Sequence, residues 1–559
     1  MDNKKQLMAL VLCSIAGLAQ AGEKEELLKL RNTTTNLIKE LVKQGVLTDK
    51  AAEAMIKNAA ADAQAEQQAT GQTDTPAEPG EVRVPYVPDF VKDEIRQQVR
   101  SELRADVVKD VMQEAKTQKW GVPEALPDWI SRFKMSGDMR LRSQSDFMAS
   151  DNATGWYRDY MAINRAGGET AAGFNAFLNT TRNRQRFRER LRLAIDVKVA
   201  EHLKAGVRLA TGNQPDPVST NQTLAQDGSQ YQFNLDRAFL KYNAVNSDGF
   251  EWLTVAGGRI ANPFYTGGAE FSGGSELVWD TDLSFEGIAA TVRHSLSGSD
   301  SLLDRNNKSR SVYATLGAFP QRESALSSRN QWMFGGQAGL DWGFQSQDVF
   351  KAAVAYYDYQ NIQAKLNTQT PPICGNNLPE NTLSAPQWWQ FGNTVATICN
   401  DNANVSPGLY GLASDYNIIS TSASYDFAQF APHHITLSAD YAKNIGFSSN
   451  SVRQLAQIPV DNETNAWQVR ADMGWPKADK QGKWNVFTFY KYVERDAVLA
   501  SYTDSDFHLG GTNAKGWVVG ANYGLMKNVW ATGRWLSTDV ITGPKYSNDV
   551  LQLDLNTSF

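Results

Sequence analysis

An all-β transmembrane antiparallel barrel of about sixteen strands, preceded by an α-helical, coiled-coil-like segment, is the fold this sequence predicts. Three observations lead to it. From about residue 132 apolar and polar residues alternate with a period of two over runs of ten or more residues. The connections between those runs are alternately short and long, with 297–309 long for a turn and 540–547 short for a loop. Residues 1–21 read as an export signal.

Composition agrees with that class. The 559 residues carry 55 basic and 61 acidic side chains, a formal charge of −6. Nothing in that balance suggests a nucleic-acid partner, which needs a basic face. A mean hydropathy of −0.44 is too polar for a bundle of membrane helices. No stretch after the signal approaches the roughly 20 apolar residues of a spanning helix. Three Cys against 15 Trp, 19 Tyr, 24 Phe and 42 Gly suit a bacterial outer-membrane barrel.

In the signal, Lys4 and Lys5 precede the apolar run Leu7 to Leu18, and Ala19-Gln20-Ala21 is the cleavage site. Cys13 leaves with it, so the mature chain keeps Cys374 and Cys399. Residues 22–65 are helical in pattern. Leu27, Leu30, Thr34, Leu37 and Leu41 form a coiled-coil seam of about two heptads. Residues 66–88 hold four Pro and two Gly among polar residues and form a linker. Residues 89–118 form an amphipathic helix with a stripe at Val91, Ile95, Val99, Leu103, Val107 and Val111. Helices this thin need a partner surface, so a homo-oligomer is expected, with a trimer the natural choice for a barrel of this size.

The barrel occupies 132–559. Strand 132–147 alternates Phe133, Met135, Met139 and Leu141 against Lys134, Ser136, Asp138, Arg140 and Arg142. Strand 184–200 sets Leu191, Leu193 and Ile195 against arginines, and the last strand sets Leu551, Leu553 and Leu555 against Gln552, Asp554 and Asn556. Further strands are predicted near 203–212, 231–245, 250–260, 282–296, 310–319, 331–345, 348–361, 416–428, 433–445, 465–475, 483–497, 516–525, 528–539 and 548–559. Strands 231–245 and 250–260 alternate poorly and predict bulges. Phe559 ends the chain on an alternating strand, the form of a barrel-assembly signal.

The segments WNVFTFYKYVERDAVLASYTDSDFHLGGTNAKGWVVGANYGL (484–525), GGRIANPF (257–264), VWDTDLSFEG (278–287) and DVLQLDLNTSF (549–559) resemble the bacterial "putative porin" family. So do RNTTTNLIKELVKQGVLTDKAAEAM and VRVPYVPDFVKDEIRQQVRSELR in the helical region. The resemblance implies a passive channel in the outer membrane of a Gram-negative bacterium, touching outer-membrane lipid, with its N-terminal helices in the periplasm. It would pass small hydrophilic solutes and transfers no catalytic residue. No cofactor is expected, because a concentration gradient drives the flow. The rival reading is a structural tether that links the membrane to the cell wall through the N-terminal helices.

No enzyme motif appears. The five His have no metal-cage spacing. Asp280/Asp282 and Asp504/Asp506 could take Ca²⁺, but salt bridges to lumen arginines are the plainer expectation. Trp388 and Trp389 are expected to plug the longest loop. The informative constellation is basic. Arg184, Arg186, Arg188, Arg190 and Arg192 share one parity, opposite the apolar face, and Arg140, Arg142 and Arg208 join them on neighbouring strands. All should line the pore. Asp282, Glu286, Asp440, Asp472 and Asp554 are expected elsewhere on the wall, giving a transverse field that favours anions. Cys374 and Cys399 share loop 362–415 of an exported chain and are expected to form a disulfide.

Overall fold

The computed structural model describes residues 130–559 except 214–215, 270–273, 297–309, 325–328, 369–373, 375–380 and 402–405. The export signal, the helices of 22–65 and 89–118, and the linker 66–88 lie outside the described residues.

The strands, in chain order, begin with β1 (Phe133–Met148), β2 (Arg184–Lys198), β3 (Leu203–Ala210), β4 (Gln222–Thr223), β5 (Asn234–Val245) and β6 (Glu251–Ala261). Next come β7 (Ser284–Ser295), β8 (Ser311–Arg322), β9 (Gln331–Gly343), β10 (Val349–Gln360), β11 (Val395–Asp401) and β12 (Ser406–Leu412). The remainder are β13 (Asn417–Phe427), β14 (His434–Asn444), β15 (Asn465–Gly474), β16 (Trp484–Val493), β17 (Ala514–Met526), β18 (Val529–Val540) and β19 (Ser547–Ser558). The pair β11–β12 is a separate hairpin, and β4 only extends the pairing of β2. The other sixteen each pair antiparallel with their neighbours. Because β1 bonds both β2 and β19, the sheet closes and no edge is left in lipid.

Alternation fixes which face is which. Met135 is 77% exposed and Phe187 60%, both on the outward row that meets lipid. Arg142, Gln144 and Asp146, on the opposite parity of β1, are buried inside. The expected irregularity in 231–245 is a bulge. Arg208 and Leu209 of β3 face Arg237 and Leu235 of β5, with Asp236 left over. The extra residue turns both Asp236 and Arg237 from lipid.

Eight connections lie at one end, six of them long: L1 (149–183), L2 (211–233), L3 (262–283), L5 (361–416), L6 (445–464) and L7 (494–513), with L4 (323–330) and L8 (541–546) short; the opposite end has turns apart from 296–310 and 475–483. Long loops mark the outer face of barrels of this kind. L1 carries α1 (Tyr160–Ala166) and α2 (Glu169–Ala172), and L6 carries α3 (Ser449–Ala456).

At the opposite end the seam is finished by the last residue. Gly137 N–H donates to Phe559 O at 2.9 Å, and Phe559 N–H to Gly137 O at 3.0 Å. A Cβ on Gly137 would lie 2.5 Å from the Phe559 ring, so only glycine lets that ring cross the strand. Deleting Phe559 removes both bonds and the ring contact, a loss of about 2 kcal/mol at the seam. Urea titration of the barrel in vesicles should show a lower midpoint; an unchanged midpoint would show that closure does not use the residue.

Candidate pore constriction

The inward face of β1 and β2 places like charges opposite one another: Arg140 faces Arg190, and Arg142 faces Arg188. Such cross-strand pairs repel, and carboxylates reach one member of each, Arg190 and Arg142. Asp554, opposite Arg142 on β19, accepts from its Nε at 2.8 Å and its Nη2 at 2.9 Å. Asp506 of L7 accepts from Arg142 Nη1 at 3.0 Å and from Arg534 Nη2 at 2.7 Å. Arg190 and Arg192 share Asp138, at 2.9 and 2.8 Å, and share Asp282 of L3, at 3.6 and 3.0 Å. Arg208 pairs with Asp236, and Arg186 with Asp146.

These ion pairs draw loops into the barrel. At one end of L3, Asp282 is clamped by the arginines of β2 and accepts from Thr220 N and Oγ1 of L2. At the other, Tyr265 exchanges hydrogen bonds with the Gln337 side chain of β9 and bonds Ser424 of β13. L7 is held by Asp506 and by Asp504, which pairs with Lys491 of β16. Burial alone would raise the pKa of Asp282 and of Asp506. Arg190, Arg192 and Arg140 overrule it at Asp282, and Arg142, Arg534 and Arg188 at Asp506, so both are held well below the usual carboxylate range.

A cavity of about 1080 Å³ remains. Arg140, Arg190, Arg192, Arg208 and Arg237 line one side, from β1, β2, β3 and β5. Half-way round the barrel, on β13, β14 and β15, it meets Asp426, Thr436 and Asp472. An aromatic arc adjoins it, with Trp279 edge-on to Phe285 and Phe264 edge-on to Tyr357. Above, L5 packs on L7: Trp388 Nε1 donates to Ser501 O at 2.9 Å, Asn393 Nδ2 to Arg495 O at 2.7 Å, and Trp389 is buried. Cys374 and Cys399 are bonded within L5.

Several expected placements need correction. Glu286 does not line the pore. It shares the outward parity of Ile288 and pairs with Arg259 of β6 on that face. Asp282 and Asp554 stand among the arginines rather than across from them, so much of the basic face is neutralised locally. Arg184 is exposed at the outer end of β2. Asp472 does face the cavity but is held by Arg470 through two bonds of 2.7 Å. Asp440 is buried beneath L3. The residues that alternation missed are Arg237, hidden by the bulge, and Arg470, Lys491 and Arg534, isolated basic residues on strands with no run to mark them.

The family model described as "Putative porin" matches residues 31–559. No curated protein matches the chain. Among solved structures, the chain is similar to Pseudomonas putida OprB at high pH, with 11% identity, 79% of this chain and 97% of that one covered, and a TM-score of 0.42. It is similar to the outer membrane channel DcaP of Acinetobacter baumannii, with 10% identity, 77% and 98% coverage and a TM-score of 0.37. A mutant of Rhodopseudomonas blastica porin follows, with 12% identity, 76% and 100% coverage and a TM-score of 0.35. With its closed sixteen-stranded barrel and a family match over almost its whole length, the chain belongs to the "putative porin" family of outer-membrane channels.

Proposed function

We propose that the barrel carries small hydrophilic solutes by passive diffusion and favours anions over cations. The observation behind this reading is three inward guanidiniums with no carboxylate in ion-pair contact among the described residues: Arg140, Arg237 and Arg188, the last of which donates to Ser219 Oγ at 3.4 Å. Arg140 donates to Asn221 of L2, and its buried Nε has no partner. Arg237 donates only to Ser284 Oγ, at 3.2 Å. Arg140 and Arg237 line the cavity beside Arg190, Arg192 and Arg208, whose charges Asp138, Asp282 and Asp236 offset. Positive charge without a carboxylate partner therefore sits at three known positions and acts locally, whatever the net charge of the chain.

A guanidinium keeps its charge at any physiological pH and suits carboxylate or phosphate groups on a solute. In a water-filled passage one such contact is worth about 1 kcal/mol, roughly fivefold in permeability ratio, and salt screens it. Reversal potentials across a planar bilayer should show wild-type anion preference. Arg140→Gln with Arg237→Gln should lower the anion-to-cation ratio by about fivefold or more at low salt, and less at high salt. A wild-type channel already selective for cations, and unmoved by the double substitution, would overturn the proposal.

A further inference from the structure

We infer that the buried polar cluster between L3 and strands β13, β14 and β15 is a binding site for an alkali cation of sodium size. Asp440 of β14 is 5% exposed. The sheet register sets Ser422 of β13 opposite it on one side and Gln468 of β15 on the other, and Ser438 lies two residues along the same inward face. Neither carboxylate oxygen of Asp440 has a donor in hydrogen-bond geometry, although the Ser422 and Ser275 hydroxyls lie beside it. Gln468 Oε1 and Ser438 Oγ are also buried without a partner. The Gln468 amide nitrogen is already used, donating to Ser275 Oγ of L3 at 3.1 Å, which leaves Oε1 as the free end.

L3 forms the roof. Gly267 has a φ of +70°, and a Cβ there would fall 2.7 Å from Asp440 Oδ1. Behind it, Ser275 N–H donates to Thr266 O at 2.9 Å and closes the loop on itself. Only glycine lets the backbone come down over the carboxylate.

A buried carboxylate with an unpartnered amide oxygen opposite it in the register is costly without a positive charge to join them. The neighbouring cations are engaged, Lys491 with Asp504 and Arg470 with Asp472. An ionised Asp440 is then one uncompensated negative charge, which a monovalent ion neutralises and a divalent ion would overshoot. Every free ligand is oxygen, the donor set of a hard cation. Held by Asp440 beneath Gly267 and by Gln468, whose amide nitrogen bonds Ser275, the ion would brace L3 against the wall and so hold the loop that narrows the pore.

The test uses the full chain in detergent, with chymotrypsin cleavage after Phe264 and Tyr265 of L3 read by mass spectrometry. Sodium chloride is compared with N-methylglucamine chloride at equal ionic strength and neutral pH. Cleavage through an opened loop tracks the population of that open state, so sodium at about fifteen times its dissociation constant should slow it roughly tenfold or more. Asp440→Asn, which keeps the shape, and Gln468→Leu should each abolish the difference, with unboiled gel mobility showing that the barrel is closed. Equal rates in the two salts would overturn the inference. So would protection brought on by acid alone in sodium-free buffer, which would make the occupant a proton shared by Asp440 and Gln468. Protection by calcium but not sodium would overturn the monovalent assignment.

Discussion

Arg142→Met should destabilise the barrel by about 3–5 kcal/mol and loosen L7 inside the lumen. Arg142 has a fully buried side chain and joins three parts of the fold: its own strand, Asp554 of β19 and Asp506 of L7. Without it Asp554 is a buried carboxylate lacking its bidentate partner, while Asp506 keeps Arg534. Urea unfolding in vesicles should move to a lower midpoint, and single-channel current should become noisier. Pairing Arg142→Met with Asp554→Leu should recover much of the loss, because an apolar pair needs no counter-charge. A single substitution with wild-type stability would show that water satisfies Asp554. The pH dependence has a definite sign. A carboxylate whose folded pKa is depressed stabilises the fold above its unfolded value, and that contribution is lost as pH falls through the folded value. Burial opposes ionisation of Asp506 but the arginines prevail, so its anchor should be complete at neutral pH. It should weaken below the ordinary value of 3.8 and fail only where Asp506 itself takes up a proton. Arg142→Met should bring that failure closer to neutral pH.

The Cys374→Ala, Cys399→Ala variant should release L5, with little effect on the strands below. The bond closes a loop with a sequence separation of 25 residues, which is worth roughly 3 kcal/mol in the chain-entropy model. Cys399 lies on β11 and is buried with Ile398 and Leu409 against Val452 of α3. The stabilisation is local, so L5 should open about a hundred times more often in the variant. Proteolysis within 361–416 reads that directly, and thiol labelling of the denatured, unreduced wild type should find no free thiol. Cleavage of L5 at the wild-type rate would show that hairpin packing alone holds it.

Strands and loop lengths were legible because lipid on one side and water on the other impose a strict period. Each of the sixteen barrel strands overlaps a predicted one, including 231–245 and 250–260, where the alternation is poor. The sequence is silent about what the loops do once inside. Nothing local to Asp282 or Asp506 announces that each will meet arginines on β1 or β2, for those contacts span 90 and 364 positions. The arginine run was visible, but its neutralisation was not. Parity misled at Glu286, where the run from Asp282 into the strand reads as one alternating series. The chain is still in L3 at Asp282 and becomes a strand only at Ser284. Arg237 was lost for the opposite reason, since a bulge breaks the count. The short pair β4 and the hairpin β11–β12 sit in loops, where alternation over two to seven residues carries little signal.

The seam between the first and last strands also governs when the channel becomes a channel. Arg142 and Asp554 are 412 positions apart, and so distant a pairing forms late on entropic grounds alone. Before β19 arrives, Arg142 lacks its bidentate carboxylate, and the wall against which Asp506 docks is incomplete. An assembling chain thus passes through an open-sided stage with L7 undocked. The passage takes its final shape only when the seam closes, and a molecule stalled before closure is an open-sided leak. The organism has reason to clear such a molecule quickly, whatever the finished protein carries.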